Sequence, residues 1–262
     1  MHLPSQAEPN PVSAKISAGR YEIGCYNIPN ASPVHSRDFG DFWIDCFPVT
    51  FAHFEKFVAS GGYFSDQLWM DSDTNRSDRL PQQSVDQRCN ELNSHVVSIH
   101  RMFKQDRLRS DEIPLVGLTW MEAAAVCRFF DARLPFEWEW EVAMKPQAVP
   151  GNNHSSDSVW NGCPVSRWGC VITVGTLQEW TAGPFTRRYW RAADENKPEF
   201  WSQQCRYGVS MRGAAKGDLH SDYRFRRSTP PDTASSQLGF RRLWETRPSH
   251  EQSTFSFVGV NS

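Results

Sequence analysis

Between Gly117 and Met144 the apolar and polar positions settle into a helical period, lose it, and regain it. Thr119 followed by Glu122 has the spacing of a capping box, in which each side chain satisfies an open amide at a helix start. Ala123, Val126, Cys127 and Phe130 then recur at helical intervals and mark one apolar face. This helix is expected to stop at Asp131-Ala132. Arg133-Leu134-Pro135 reads as an extended link, because a proline pushes the residue before it out of the helical region. A second helix follows, in which Glu137, Glu139 and Glu141 alternate with Trp138, Trp140 and Val142 and two tryptophans enter a core.

Upstream, Ile16 to Gly24 reads as a strand, a glycine turn and a second strand. Phe39 to Val49 alternates well enough for one more strand. Thr50 caps a helix whose Phe51, Phe54, Phe57 and Val58 share a face, and Gly61-Gly62 ends it. Residues 71–111 are polar and weakly patterned, and read as a long loop of the kind that is functional or mobile. Another loop, rich in Asn, Ser and Gly, runs from Pro150 to Ser158. Residues 1–15 are polar, contain proline, and read as disordered.

Composition narrows the class. The 262 residues suit one large domain or two small ones. Charge is nearly balanced, with 28 basic and 30 acidic residues, so nothing points to nucleic acid or an anionic membrane. No apolar run reaches the roughly 18 residues a membrane span needs. Met1 to Asn10 lacks the basic start and apolar stretch of a secretory signal, so a cytoplasmic location is expected. Eleven tryptophans imply a core of large flat side chains, and 17 prolines with 16 glycines imply many loops. The seven cysteines form no framework spacing; Cys163 and Cys170 are near enough to pair locally, but reduced thiols are expected.

The segment from Gly117 to Met144 resembles the pattern V-x-W-x-E-A-x-A-[YF]-C-R-W-x-x-x-R-L-P-T-E-A-E-W-E-x-A of the formylglycine-generating-enzyme (sulfatase-modifying factor) family. Trp120, Glu122, Ala123, Cys127, Arg128, Arg133, Leu134, Pro135, Glu137, Trp140, Glu141 and Ala143 keep its spacing. Ile16 to Gly24 and Phe42 to Tyr63 resemble two further family phrases. Gly61-Gly62-Tyr63-Phe64 followed by Leu68-Trp69 is most similar to the C-terminal domain of hercynine oxygenases. Gly175, Glu179, Trp180 and Thr181 fit a third phrase, Met211 to Ala215 stands where the family has R-G-G-S-W, and Leu238 to Arg241 matches its L-G-F-R. The resemblance implies an α+β domain over residues 16–243, a formylglycine-generating-enzyme-like variant of the C-type-lectin fold. It would be loop-rich, with small antiparallel sheets and two packed helices. Residues 244–262 would form a tail.

The resemblance also implies a place for chemistry. Formylglycine-generating enzymes bind copper(I) through two cysteines just after the Gly-Gly-Ser, because soft thiolates select that ion. Here Ala214 to Asp222 contains no cysteine, Ala215 replaces the serine, and Cys205 precedes the Arg-Gly pair, so copper-based formylglycine generation is not expected. Asp218, His220 and Asp222 alternate instead, and on an extended strand they would share one face. Oxygen and imidazole ligands suit iron or another divalent metal; the same residues could act as acid and base, or form a solvated rim. His220, Tyr223 and Arg224 are the catalytic candidates, with Arg224 able to clamp a substrate carboxylate. Alternatively Tyr223 and Phe225 belong to the core and a neighbouring arginine pairs with a buried acid such as Glu179 or Glu137.

Where several family members hold calcium through an Asn, this chain has Thr176, which leaves Glu179 as a candidate metal ligand or as a buried carboxylate bonded to loop amides. His95 and His100 are spaced for neither a shared helix face nor a strand edge, and read as loop residues. The His-x-x-x-His-x-Glu iron motif of complete hercynine oxygenases is absent, as are the Gly-x-Ser-x-Gly, Walker and Rossmann patterns. Three activities remain open. One is metal-dependent oxidation of a small molecule or peptide; the others are a ligand- or protein-binding module and a regulatory, non-catalytic paralogue.

Overall fold

A computed structural model of the chain describes residues 13–69, 85–103, 111–147, 160, 163–187, 209–213 and 222–248. In chain order the elements are β1 (Ser13–Ile16), β2 (Gly19–Ile23), β3 (His35–Phe39), β4 (Phe42–Asp45), α1 (Phe51–Ala59), α2 (Asp66–Trp69) and α3 (Val85–Phe103). They continue with α4 (Trp120–Phe129), α5 (Glu137–Ala143), β5 (Gln178–Pro184), β6 (Val209–Arg212), β7 (Arg226–Thr229), β8 (Leu238–Phe240) and β9 (Leu243–Trp244). The strands form three small sheets, ordered β1-β4-β9, β2-β3 and β7-β6-β5-β8. All pairings are antiparallel except β5 with β8. Among the described residues no helix is long and apolar enough to cross a membrane.

The capping chemistry forms where the residues place it. Thr119 Oγ1 accepts from the Glu122 amide while Glu122 reaches back to the Thr119 amide at 2.8 Å. Thr50 caps α1, with His53 as the reciprocal partner, and Gly61 adopts φ +76°, the left-handed stop that glycine permits. α1 and α4 share a core in which Phe54, Phe57, Ala123, Val126 and Cys127 are buried. Burial of each phenylalanine contributes roughly 1.5–3 kcal/mol. Around Phe57, the rings of Tyr63, Trp69 and Phe129 meet mostly edge to face. A second core gathers Ile16, Ile44, Trp138, Trp140 and Leu243 between α5 and the first sheet.

Four expectations change. β1 starts at Ser13, inside the segment read as disordered, because Ser13 pairs with Asp45 and Ala14 with Ile44; residues 1–12 lie outside the described ones. Trp244, read as the first tail residue, is buried in β9 opposite Trp43. The single strand expected from Phe39 to Val49 is two strands in different sheets. They part at Gly40-Asp41, where the Asp41 carboxylate accepts the Ala18 amide and pairs with Lys15.

The 71–111 loop, finally, contains the 19-residue helix α3. Among the described side chains Leu92 and the half-buried Cys89 pack against the core; Cys89, Leu92, Val96, Ile99 and Phe103 do recur at helical spacing, but polar residues outnumber them and the stretch reads as loop. A buried ion pair holds it: Arg88 donates to both oxygens of Glu122 at 2.7 Å and to the Gly117 carbonyl.

Candidate functional site

β6 and β7 run antiparallel with Arg212 opposite Arg226, so residues 213–225 leave the sheet and return to it at one place. Both arginines are fully buried. Residues 137 and 141 lie one turn apart and therefore share a face of α5. That face receives the arginines: Arg226 donates to both Glu137 oxygens at 2.5 Å, and Arg212 donates to Glu141 at 2.8 Å. Glu141 also accepts the Gly24 amide at 2.6 Å. Glu139 points elsewhere and pairs bidentately with Arg133 at 2.8 Å. The alternation of acids and tryptophans in α5 is thus a helix buried all round, with its three carboxylates neutralised by the guanidinium groups of Arg133, Arg212 and Arg226.

Beyond the Arg212–Arg226 pair the chain makes a tight turn, with the Phe225 amide donating to the Asp222 carbonyl at 3.0 Å. The turn is closed by charge. Asp222 accepts from the Arg224 amide at 2.8 Å, from its Nε at 2.9 Å and from its Nη2 at 2.6 Å. Arg212 Nη1 donates to the Arg224 carbonyl at 2.9 Å, tying the turn to the sheet. Burial raises the Asp222 carboxyl, but the hydrogen bonds from Arg224 outweigh it and hold the group below the usual carboxylate range. Tyr223 lies half-buried beside Glu141; burial, then that carboxylate, push its hydroxyl up to about 12.

These contacts revise several assignments. Asp222 sits in a turn rather than on an extended strand, and its oxygens are taken by Arg224, so it is not an open metal ligand. For the same reason the Arg224 fork is not an open carboxylate clamp. Asp218 and His220, with the rest of 214–221, lie outside the described residues.

Both oxygens of Glu179, the other candidate metal ligand, are likewise taken by side-chain donors. Its Oε1 accepts from Thr173 Oγ1 at 2.6 Å and Arg241 Nη2 at 3.0 Å, and its Oε2 from Trp140 Nε1 and Arg241 Nε, both at 2.8 Å. A guanidinium thus supplies the positive charge that a cation would bring. The buried-acid alternative holds, but its partners are side chains rather than loop amides, and the arginine on Glu137 is Arg226. His95 stands on α3 instead of in a loop, with its ring against Gly117; the His100 side chain is outside the described residues. A Cβ on Gly117 would come within 2.6 Å of that ring. Among the described residues no group of three His, Cys, Asp or Glu side chains is placed to hold a metal ion.

One feature escaped sequence reasoning. A cleft of about 440 Å³ lies between the β3–β4 corner and the start of α5, lined by Arg37, Asp41, Arg133, Phe136, Trp138 and Glu245 among others. The Arg37 guanidinium lies 3.9 Å from the Trp138 ring centre, and Phe136 stacks on the same Trp138 ring at 4.7 Å. Its walls come from three separate stretches of chain, so no local pattern announces it.

Small mixed sheets, packed short helices and long irregular connections define the formylglycine-generating-enzyme-like variant of the C-type-lectin fold. Residues 2–161 match the family model described as "Sulfatase-modifying factor enzyme 1-like domain", and the chain belongs to that family. It is 25% identical over 270 residues to "Inactive C-alpha-formylglycine-generating enzyme 2" of Bos taurus, covering 87% of this chain and 86% of the relative. Among solved structures it is similar to PvdO from Pseudomonas aeruginosa, with TM-score 0.59, 16% identity, and 88% and 93% of the two chains covered. It is also similar to Treponema denticola variable protein 1, with TM-score 0.54, 15% identity, and 89% and 95% covered. The two structural likenesses speak to the fold.

Proposed function

We propose that this chain is a non-catalytic member of the family that binds a ligand or a protein through the face where residues 213–225 connect β6 and β7. The observation that carries this reading is the self-pairing of Asp222 with Arg224. In the described part of that face the charged groups are bonded to the protein itself, and the sequence there offers no cysteine for copper. The word "inactive" in the name of the Bos taurus relative supports the same reading. A second reading, metal-dependent oxidation of a small molecule or peptide, is favoured by the alternation of Asp218 and His220 ahead of the turn. It would use His220 and Asp218 without Asp222.

Metal analysis of protein purified without chelator, beside an Asp218→Ala/His220→Ala variant, separates the two. The binding reading expects well under one transition metal per chain in both proteins. It also expects no oxygen uptake with a cysteine-containing peptide and added copper(I). About one iron or copper per chain in the parent, lost in the folded variant, would replace it with the oxidative reading.

A further inference from the structure

Cys46 follows directly on β4, and Cys170 lies in the stretch that leads to Thr173 and Glu179. The Val171 amide donates to the Cys46 carbonyl at 2.9 Å, so the two backbones lie side by side at these residues. Both thiols are essentially without solvent exposure and belong to the same buried core cluster, each reduced. Arg241 binds across the junction, donating to the Cys46 carbonyl at 2.8 Å and to the Val171 carbonyl, while Ser166 Oγ accepts the Cys170 amide at 3.1 Å.

The local partner Cys163 is ruled out by register. Val165 bridges Val171 antiparallel and the Ile172 amide donates to the Pro164 carbonyl, which sets Cys163 beyond Ile172 and away from Cys170.

We propose that Cys46 and Cys170 are a latent disulfide site, oxidised by a small-molecule disulfide of the glutathione class. Cys170, as thiolate, attacks one sulfur of the oxidant; the oxidant's S–S bond breaks and its second half leaves as a thiolate that takes the Cys46 proton. Cys46 then attacks the Cys170 sulfur, forming the protein S–S bond and expelling the other half as a thiol once protonated. Two protein thiols lose two electrons, and one oxidant disulfide becomes two thiols. Because both sulfurs are buried, exchange takes place while the core is open, during folding or large-scale opening. The finished bond would be shielded from reductant. It would clip the end of β4 to the 163–172 stretch and close a loop of nearly half the chain, which restricts the unfolded state strongly.

The test unfolds the full-length chain and refolds it in a glutathione redox buffer. Free thiols are then blocked and an unreduced digest is mapped by mass spectrometry. The expected result is one linked peptide joining Cys46 to Cys170, five of the seven cysteines blocked, and a melting temperature about 5–10 °C above that of the reduced protein. Cys46→Ala and Cys170→Ala should each abolish the linkage and the rise in melting temperature. Recovery of all seven blocked cysteines from refolded protein, or a link from Cys170 to Cys163, would overturn the proposal without reliance on either variant.

Discussion

Arg241 makes the residue scale concrete. It is fully buried, grips Glu179 with two nitrogens, and donates to the carbonyls of Asp45, Cys46 and Val171. Removing the guanidinium would leave a fully buried carboxylate without its counter-charge and would orphan backbone acceptors from two segments. Losing one partner of such a pair costs about 3–5 kcal/mol. Arg241→Met and Glu179→Gln are therefore both expected to lower the urea midpoint sharply or prevent folding, since Gln turns one accepting oxygen into an amide that faces donors and leaves the Arg241 charge unpaired. Equal and small losses for both variants, measured by equilibrium denaturation, would show that the pair is not the anchor described. At this scale the sequence exposed the acid and several candidate arginines but not their pairing, because Glu179 and Arg241 approach only through the fold.

Helix α3 belongs to the next scale. Arg88 and Leu92 fasten it to α4, and His95 packs on Gly117, whose φ of +81° and missing Cβ make room for the ring. Burial first, and the neighbouring Arg88 second, lower the His95 pKa, while Glu91 works in the opposite direction. Folding therefore favours the neutral imidazole. Its contribution is intact above the ordinary histidine pKa of about 6.5 and declines as pH falls below it, where the unfolded state takes up the proton more readily. Acidification from pH 7.5 to 5.5 should reduce hydrogen-exchange protection in residues 85–103. His95→Gln should flatten that dependence; an identical pH profile in both proteins would remove His95 from the account. The capped helices α1 and α4 were legible because their signals are local, a Thr and its partner three residues on. α3 was passed over, since its apolar positions Cys89, Leu92, Val96, Ile99 and Phe103 are outnumbered by polar neighbours and the buried partner of Arg88 lies far along the chain.

Across the whole molecule, β4 joins the beginning of the domain to its end: β1 lies on one side and β9 on the other. Leu243 also exchanges backbone hydrogen bonds with Arg133, in the link between α4 and α5. A chain ending at Arg242 loses the partners of Trp43, Ile44 and Arg133 together, and is expected to lose its near-ultraviolet tryptophan circular dichroism and cooperative melting. Retention of both would place β9 outside the cooperative core.

Motifs spaced along the chain determined the family, the α+β class, the helix caps, the aromatic core and the want of copper-binding cysteines after Gly213, since each depends on residue identity and short-range order. Only the tertiary structure decided that Asp222 and Arg224 bind one another, that Glu179 belongs to Arg241, that Cys170 faces Cys46 and that a cleft opens beside Trp138. Those are meetings between segments far apart in the chain, chosen by burial. A buried charge must find its opposite wherever the fold brings one within reach.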